Sequence, residues 1–312
     1  MILIKSNENN IYFNLALEEY MIKNFEIPVF IIYRNNKAIV TGKHQNLLSE
    51  INYKFVYENN ICLARRISGG GTVFHDKGCL NFAYIGNIDK NHLIDYENNL
   101  NPVLSFLRSY DLDITFDGKN SIFIENKKIS GNSQHIFKNR LLHHGTLLFD
   151  TNLELLEKSL SFINKNYIDK AVKSKPHEVT NLKYYLNINT EQFEFNFYNY
   201  IKNYYNAREY VLSDNDMKNI NQLVDEKYKT WDWIYGYSPD YKFCNVIKYM
   251  NDEFKIVLEV QKGIIKNVII FSKKKELENQ LKKHLLNVPH DLIFLLQDDF
   301  FKINKELLYL LF

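Results

Sequence analysis

The 312-residue sequence predicts an α+β protein, in which short strands joined by tight turns are flanked by helices and a small module closes the chain. Three observations predict this class. Short β-rich runs alternate with turn-forming Asn, Lys and Gly clusters. Between them lie helical stretches with one apolar face. Beyond Pro239 a fresh alternating run begins, with Phe254, Ile256, Leu258 and Val260 on one side. That break divides the chain into a large unit, 1–242, and a small α+β unit, 243–312, of ordinary size for an appended module.

In order, residues 2–5 read as a strand, and Asn10 caps a helix to Met21 with Ile11, Leu15 and Ala16 on one face. Residues 28–33 and 38–41 are strands, with 34–37 as a hairpin turn between them. Residues 47–60 read as helical. Strands at 61–65 and 72–75 flank a run of three glycines, and 81–85 is a further strand. Residues 99–110 form an amphipathic helix whose Pro102 falls in the first turn, where proline is tolerated. Residues 121–125 alternate as a strand, Asn126 and Lys127 turn, and Lys128 opens the return strand. Another strand spans 141–149. Helices follow at 153–160, 190–204 and 214–229, the last capped by Ser213 or Asp214. Residues 173–181 between them read as a loop. The segment 231–239 closes the large unit, with Trp231 and Trp233 as packing at the junction. Strands at 253–261 and 264–271, turned by Gly263, lead into helices that fill the remainder.

Composition narrows the function. With 46% hydrophobic residues the chain has ample material for a core. Its net charge of +2 is spread through the sequence, so no nucleic-acid footprint stands out. Cys62, Cys79 and Cys244 have no metal-ligand spacing and fit a reducing, cytoplasmic setting. No leader pattern and no bilayer-length apolar run is present, so no membrane role is expected.

The chemistry concentrates in Arg65-Arg66-Ile67-Ser68-Gly69-Gly70-Gly71-Thr72-Val73-Phe74-His75-Asp76. Three glycines expose backbone N–H groups, and two arginines bring guanidinium forks, a combination that suits an anion such as phosphate. The segment matches neither the GxxxxGK[ST] loop nor GxGxxG. A plain glycine turn between strands remains the alternative for the glycines alone. By position alone Lys128, like Lys127, reads as a solvated hairpin lysine. His75 and His144 sit at strand ends, where a histidine is more often structural than a base. Ser68 is placed to contact phosphate, Asn81 to face a pocket, and Asp76 to orient an arginine or end a turn.

Three blocks together resemble one family: the arginine–glycine segment, Lys128-Ile129-Ser130-Gly131-Asn132, and His144-Gly145-Thr146-Leu147-Leu148. In order and spacing they look like lipoate–protein ligases, in the superfamily that also holds biotin ligases and octanoyltransferases. The 231–239 segment and the last module resemble the accessory region of the long-form ligases. The resemblance implies a biotin/lipoate-ligase-like catalytic domain on mostly antiparallel sheet, followed by a small α+β accessory domain. It implies that lipoate and MgATP give lipoyl-AMP, and that the lipoyl group then passes to a lysine. The acceptors it implies are apo-lipoyl domains of 2-oxoacid dehydrogenase complexes or the glycine-cleavage H-protein, with the ligase itself a monomer.

By match to the family, Arg66, Gly71, Thr72, Val73, Phe74 and Lys128 contact ATP. Lys128, the catalytic residue, also contacts lipoate, together with Ser68, Gly69, Gly70, His75, Asn81, His144 and Gly145. No fixed metal site is expected, since Mg²⁺ arrives with ATP. Two rivals remain: a same-fold octanoyl or lipoyl transferase acting without ATP through a cysteine, for which Cys79 is the thiol near the motifs, and a non-catalytic binding module.

Overall fold

The computed structural model describes residues 1–88, 95–160, 166–249 and 252–312. Its largest sheet has eight strands. They run in the order β12 (Arg208–Glu209), β1 (Ile2–Lys5), β2 (Val29–Arg34), β6 (Cys79–Asn87), β10 (Arg140–Leu148), β9 (Lys127–Phe137), β8 (Ser121–Ile124) and β7 (Ile114–Phe116). Only β1 pairs in parallel, with β12 and β2; the other pairs are antiparallel. A three-stranded sheet orders β4 (Cys62–Arg65), β3 (Ala38–Thr41) and β5 (Val73–His75). The third sheet is β11 (Tyr167–Asp169), β13 (Tyr241–Tyr249), β14 (Asp252–Gln261) and β15 (Ile264–Phe271). β13 carries both Lys242 and Phe243, and β11 joins it from far back in the chain.

Helix α1 (Ile11–Asn24) starts where Asn10 accepts the Tyr12 N–H. It lays Leu15, Ala16, Met21 and Ile22 on one face of the large sheet, against Ile31, Ala83 and Ile85. The opposite face carries Phe30, Phe82 and Leu147 under α3 (Tyr96–Arg108) and α5 (Thr190–Tyr204). Burying such side chains stabilises the fold by about 1.5–3 kcal/mol each.

Several expectations from sequence are corrected. Residues 34–37 are not a hairpin turn, because β2 and β3 lie in different sheets. Asn35 is fully buried there, and its amide ties Asn14 to His75 so that the chain crosses between layers. Residues 47–60 split into a 3₁₀ turn, Leu47–Glu50, and α2 (Tyr53–Glu58), whose new start is capped by Asn52. α3 begins earlier than its apolar stripe suggests, because Asp95 caps it, and this leaves Pro102 in the helix interior. The β8–β9 turn falls on Glu125 and Asn126, both in the left-handed region at φ 50° and 63°. Lys127 therefore already belongs to β9. α6 (Asp214–Leu223), with its Ser213–Asp216 capping box, passes into a π-helical turn, Val224–Tyr228.

Burial keeps His75 and His143 down to about 3 and His290 down to about 4. For His75 the neighbouring Arg66 adds to the effect, and for His143 the neighbouring His144 does. A folded pKa below the unfolded value of about 6.5 means that the unfolded chain binds more protons below that pH. Stability from these rings is therefore complete above about pH 6.5. It is lost as pH falls toward 4, by up to about 1.4 kcal/mol per pH unit for each. Urea midpoints should drop between pH 7 and pH 5; equal midpoints would show that the rings protonate freely in the folded state.

Candidate active site: a cleft between the glycine loop and Lys128

The glycine loop leaves β4 and enters β5, both paired to β3, so its two ends are fixed by one small sheet. Its two arginines lie behind it. Arg65 is fully buried. It donates to the carbonyls of Gly42, Gln45 and Ile234 at 2.8–3.0 Å and to Ser238 Oγ at 2.8 Å. In return its own carbonyl accepts Trp233 Nε1–H at 2.8 Å. Arg65 thus ties the loop to the chain segment 231–238 and is spent on protein acceptors, not held out for phosphate. Arg66 grips the loop itself, donating Nη2–H bonds to Gly69 O at 2.6 Å and Gly71 O at 2.7 Å. Burial lowers both guanidinium groups to about 10, which leaves them cationic at neutral pH.

Gly70 sits between those two carbonyls at φ +88°, in the left-handed region that favours glycine. A Cβ there would stand 3.0 Å from Arg66 Nη2. Gly70→Val should therefore leave a folded protein whose affinity for ATP, the nucleotide the sequence resemblance implies, is about five- to 150-fold weaker, since strain of about 1–3 kcal/mol is placed on the loop. Calorimetry on the folded variant checks this, and wild-type affinity would show that the loop conformation does not matter.

The other limb of the loop opens onto a cleft of about 790 Å³. Thr72, Val73 and Phe74 line it together with Lys128, Ser130 and Gly131 of β9. Leu153, Leu156 and Leu160 of α4 (Leu153–Leu160) add an apolar side. Lys128 reaches the cleft because of a bulge in the β8–β9 ladder: Ile122 faces Ser130 while Phe123 faces Lys128, leaving Ile129 as the extra, fully buried residue. Its side chain folds over Gly131, where a Cβ would come within 3.3 Å of Nζ. Burial lowers the Lys128 pKa, with Asp117 opposing. Lys127 instead extends to the exposed Glu178 at 3.3 Å.

The segment read from sequence as a loop at 173–181 is a strap across this site. Lys128 N–H donates to Glu178 O at 2.8 Å, and Thr180 N–H returns to Lys128 O at 3.1 Å. Ser174 Oγ accepts the Thr72 N–H at 2.9 Å and Gln45 Nε2–H at 3.1 Å, while its own N–H meets Glu50 Oε2 at 3.1 Å. Gln45, Glu50 and Ser174 were missed by sequence reasoning. They carry no spacing or motif of their own and meet only in three dimensions.

Of the residues expected at the site, Thr72, Val73, Phe74 and Lys128 line the cleft, and Gly71 packs against Ser174. Arg66, Ser68 and His144 lie behind the loop, bonded to one another. His75 is buried with Nδ1 3.0 Å from Asn35 Nδ2. Asn81 is 1% exposed and gives its amide to the carbonyls of Tyr33 and Cys79, so it serves the sheet. Gly145 faces Asn132 and Phe82. Asp76 ends a turn, accepting from the Gly78, Cys79 and Asn152 amides. Cys79 is fully buried, and burial, with Asp76 beside it, pushes its thiol far above the ordinary value. That is the opposite of the thiolate a cysteine transferase requires. Among the described residues no three metal-ligating side chains converge.

Residues 10–202 match the family model for the lipoyl protein ligase A/B catalytic domain. The lipoate-protein ligase LplJ of Bacillus subtilis (strain 168) is 36% identical over 272 residues, spanning 85% of this chain and 82% of that one. The solved structure of Plasmodium falciparum LipL1 in complex with lipoate aligns with a TM-score of 0.65 at 24% identity, over 98% of this chain and 99% of its own. A bipartite lipoate protein ligase from Thermoplasma acidophilum, solved with its E2 lipoyl domain, aligns with a TM-score of 0.64 at 24% identity, over 76% and 96%. The family match and the named ligase relatives define the class of protein as a ligase. This chain belongs to the lipoyl protein ligase A/B catalytic domain family.

Proposed function

We propose that this protein is an ATP-dependent lipoate–protein ligase, and that Lys128 and the Thr72–Phe74 limb act together on the reacting centre. The observation that carries the reading is that Lys128 and Thr72–Phe74 line one cleft. In the first step a lipoate carboxylate oxygen attacks the α-phosphorus of ATP, and the bond to pyrophosphate breaks. Two anions must be brought together and a third released, so a cation and amide donors are needed at one point. Lys128 supplies the cation. The cost of holding its ammonium half-buried is offset when the phosphate and carboxylate arrive.

In the second step an acceptor lysine amine attacks the acyl carbonyl, AMP leaves with the bonding electron pair, and an amide forms. Lys128 stays beside the developing oxyanion in both steps. The leucines of α4 and Phe74 offer the apolar surface that the lipoyl chain or the purine needs. Magnesium would arrive with the ATP phosphates, and Glu50, Glu157 and Glu178, the carboxylates that line the cleft, would hold its water ligands.

The acceptors that fit this reading are apo-lipoyl domains of 2-oxoacid dehydrogenase complexes and the H-protein, met by a cytoplasmic monomer. Among the described residues no helix is long and apolar enough to cross a membrane. Isotope exchange of pyrophosphate into ATP should depend on added lipoate; exchange with no lipoate requirement would count against the reading.

A further inference from the structure

The lysines that line the cleft are Lys128, Lys173 and Lys175. Lys128 is used by the mechanism. Lys173 is held by Asp169 at 2.9 Å and by Ser49 Oγ at 2.8 Å. Lys175 is exposed, and its ammonium makes no hydrogen bond or ion pair among the described residues. Its amine is the nucleophile on the cleft that neither the mechanism nor the packing employs.

The strap sets that amine beside the proposed reacting centre. One residue before Lys175, Ser174 Oγ accepts the Thr72 N–H at 2.9 Å. Three residues after it, the Glu178 carbonyl accepts the Lys128 N–H at 2.8 Å. The span between these two pins therefore joins the glycine loop to β9, the two elements assigned to the acyl phosphate. His177 lies in the same span. Burial, and then the Lys128 and Lys175 ammonium groups, lower its pKa, with Asp117 opposing, so both cations lie near one ring. The backbone of the strap is tied down, while the four-carbon stem of a lysine stays flexible.

We propose that Lys175 is a site of self-acylation: with no acceptor in place, its Nζ takes the lipoyl group from the bound adenylate. The proposal rests on the ligase reading. Lys175 first gives one ammonium proton to solvent. The amine then attacks the lipoyl carbonyl carbon, a C–N bond forms, and the bond to the phosphate oxygen breaks. AMP leaves with that electron pair, a second proton passes to solvent, and an Nε-lipoyl lysine remains in the chain. Lysine amines are mostly protonated at neutral pH. Against that, attack within one cleft is effectively unimolecular, an advantage that reaches about 10⁵–10⁸ M in well-oriented systems.

The test is incubation of the purified full chain with lipoate and MgATP and no acceptor, followed by intact mass and peptide mapping. One lipoyl group should appear, on Lys175, and only when lipoate and ATP are both present. Its rate should be unchanged by about tenfold dilution of the protein, since the reaction lies within one chain. Lys175→Arg should lower the label about tenfold or more, because a guanidinium keeps its protons and cannot attack. The same variant should keep lipoate-dependent pyrophosphate exchange within about twofold of wild type. If it does not, chemically supplied lipoyl-AMP replaces lipoate and ATP, and the same loss of label is required. Lys173→Arg should keep the label. An unlabelled wild-type chain that still exchanges pyrophosphate overturns the proposal and leaves the ligase reading standing. So does a label that survives Lys175→Arg, maps to Lys173, spreads over other lysines, or forms more slowly on dilution. Absence of exchange by the wild-type chain would overturn the ligase reading, and this proposal with it.

Discussion

Lys128→Ala should lower the rate of adenylate formation about a hundred- to a thousandfold, the usual loss when one preorganised donor to a developing oxyanion is removed. Transfer from chemically supplied lipoyl-AMP should fall as well, because the proposed role sets the ammonium beside the acyl carbonyl in both steps. Two neighbouring lysines are already committed elsewhere. Lys173 is engaged by Asp169 at 2.9 Å and Ser49 at 2.8 Å, and Lys127 extends to Glu178. Lys128→Arg should rescue poorly, since a planar guanidinium does not fit where Nζ rests over Gly131. Lys127→Ala, on the exposed side of the strand, should change either rate by less than twofold. Single-turnover assays of the two half-reactions decide this: a Lys128→Ala variant that transfers preformed lipoyl-AMP at the normal rate would confine the lysine to nucleotide binding.

Arg65→Ala should have the largest effect on stability, about 3–5 kcal/mol by urea denaturation. Two effects oppose one another here. Removing a fully buried cation relieves its desolvation, which already brings the group down to about 10. Against that, the backbone carbonyls of Gln45 and Ile234 lose the donors Arg65 gives them, and Gly42 O is left with the Gln45 N–H alone. Each costs about 1–3 kcal/mol unmet, so the loss wins. Arg65→Lys should recover little, because an ammonium cannot fork between acceptors on two separate segments. A shift below about 1 kcal/mol would mean that water fills the site and that the loop does not depend on the 231–238 segment.

The contrast between these two residues shows what the sequence could and could not convey. Lys128 was legible only through the block Lys128-Ile129-Ser130-Gly131-Asn132 that carries the family resemblance, since by position alone it reads as a solvated hairpin lysine. The stripes of α1 and α3 were legible because a helix face repeats within a few residues. Arg65 was read as a phosphate ligand because arginine beside glycines suits anions, yet its acceptors include Ile234, 169 positions away. No local pattern encodes such a contact. The strap at 173–181 lacked periodicity because it pairs with β9 only at Lys128, through the bridge to Val179. Asn35 misled the hairpin reading, since asparagine favours turns but here is buried as a bridge between two layers. Of the anion site, the residues on the cleft wall were readable from the motif. The buried members that orient them required coordinates.

The central claim is that one cleft activates lipoate with ATP and hands it to a protein lysine. The most direct measurement is the intact mass of an apo-acceptor, either a lipoyl domain or an H-protein, after incubation with the purified full chain, lipoate and MgATP. The account predicts a gain of one lipoyl group on a single lysine, lost when ATP is omitted and lost in Lys128→Ala. A gain that persists without ATP, or one abolished by Cys79→Ala but not by Lys128→Ala, would contradict it.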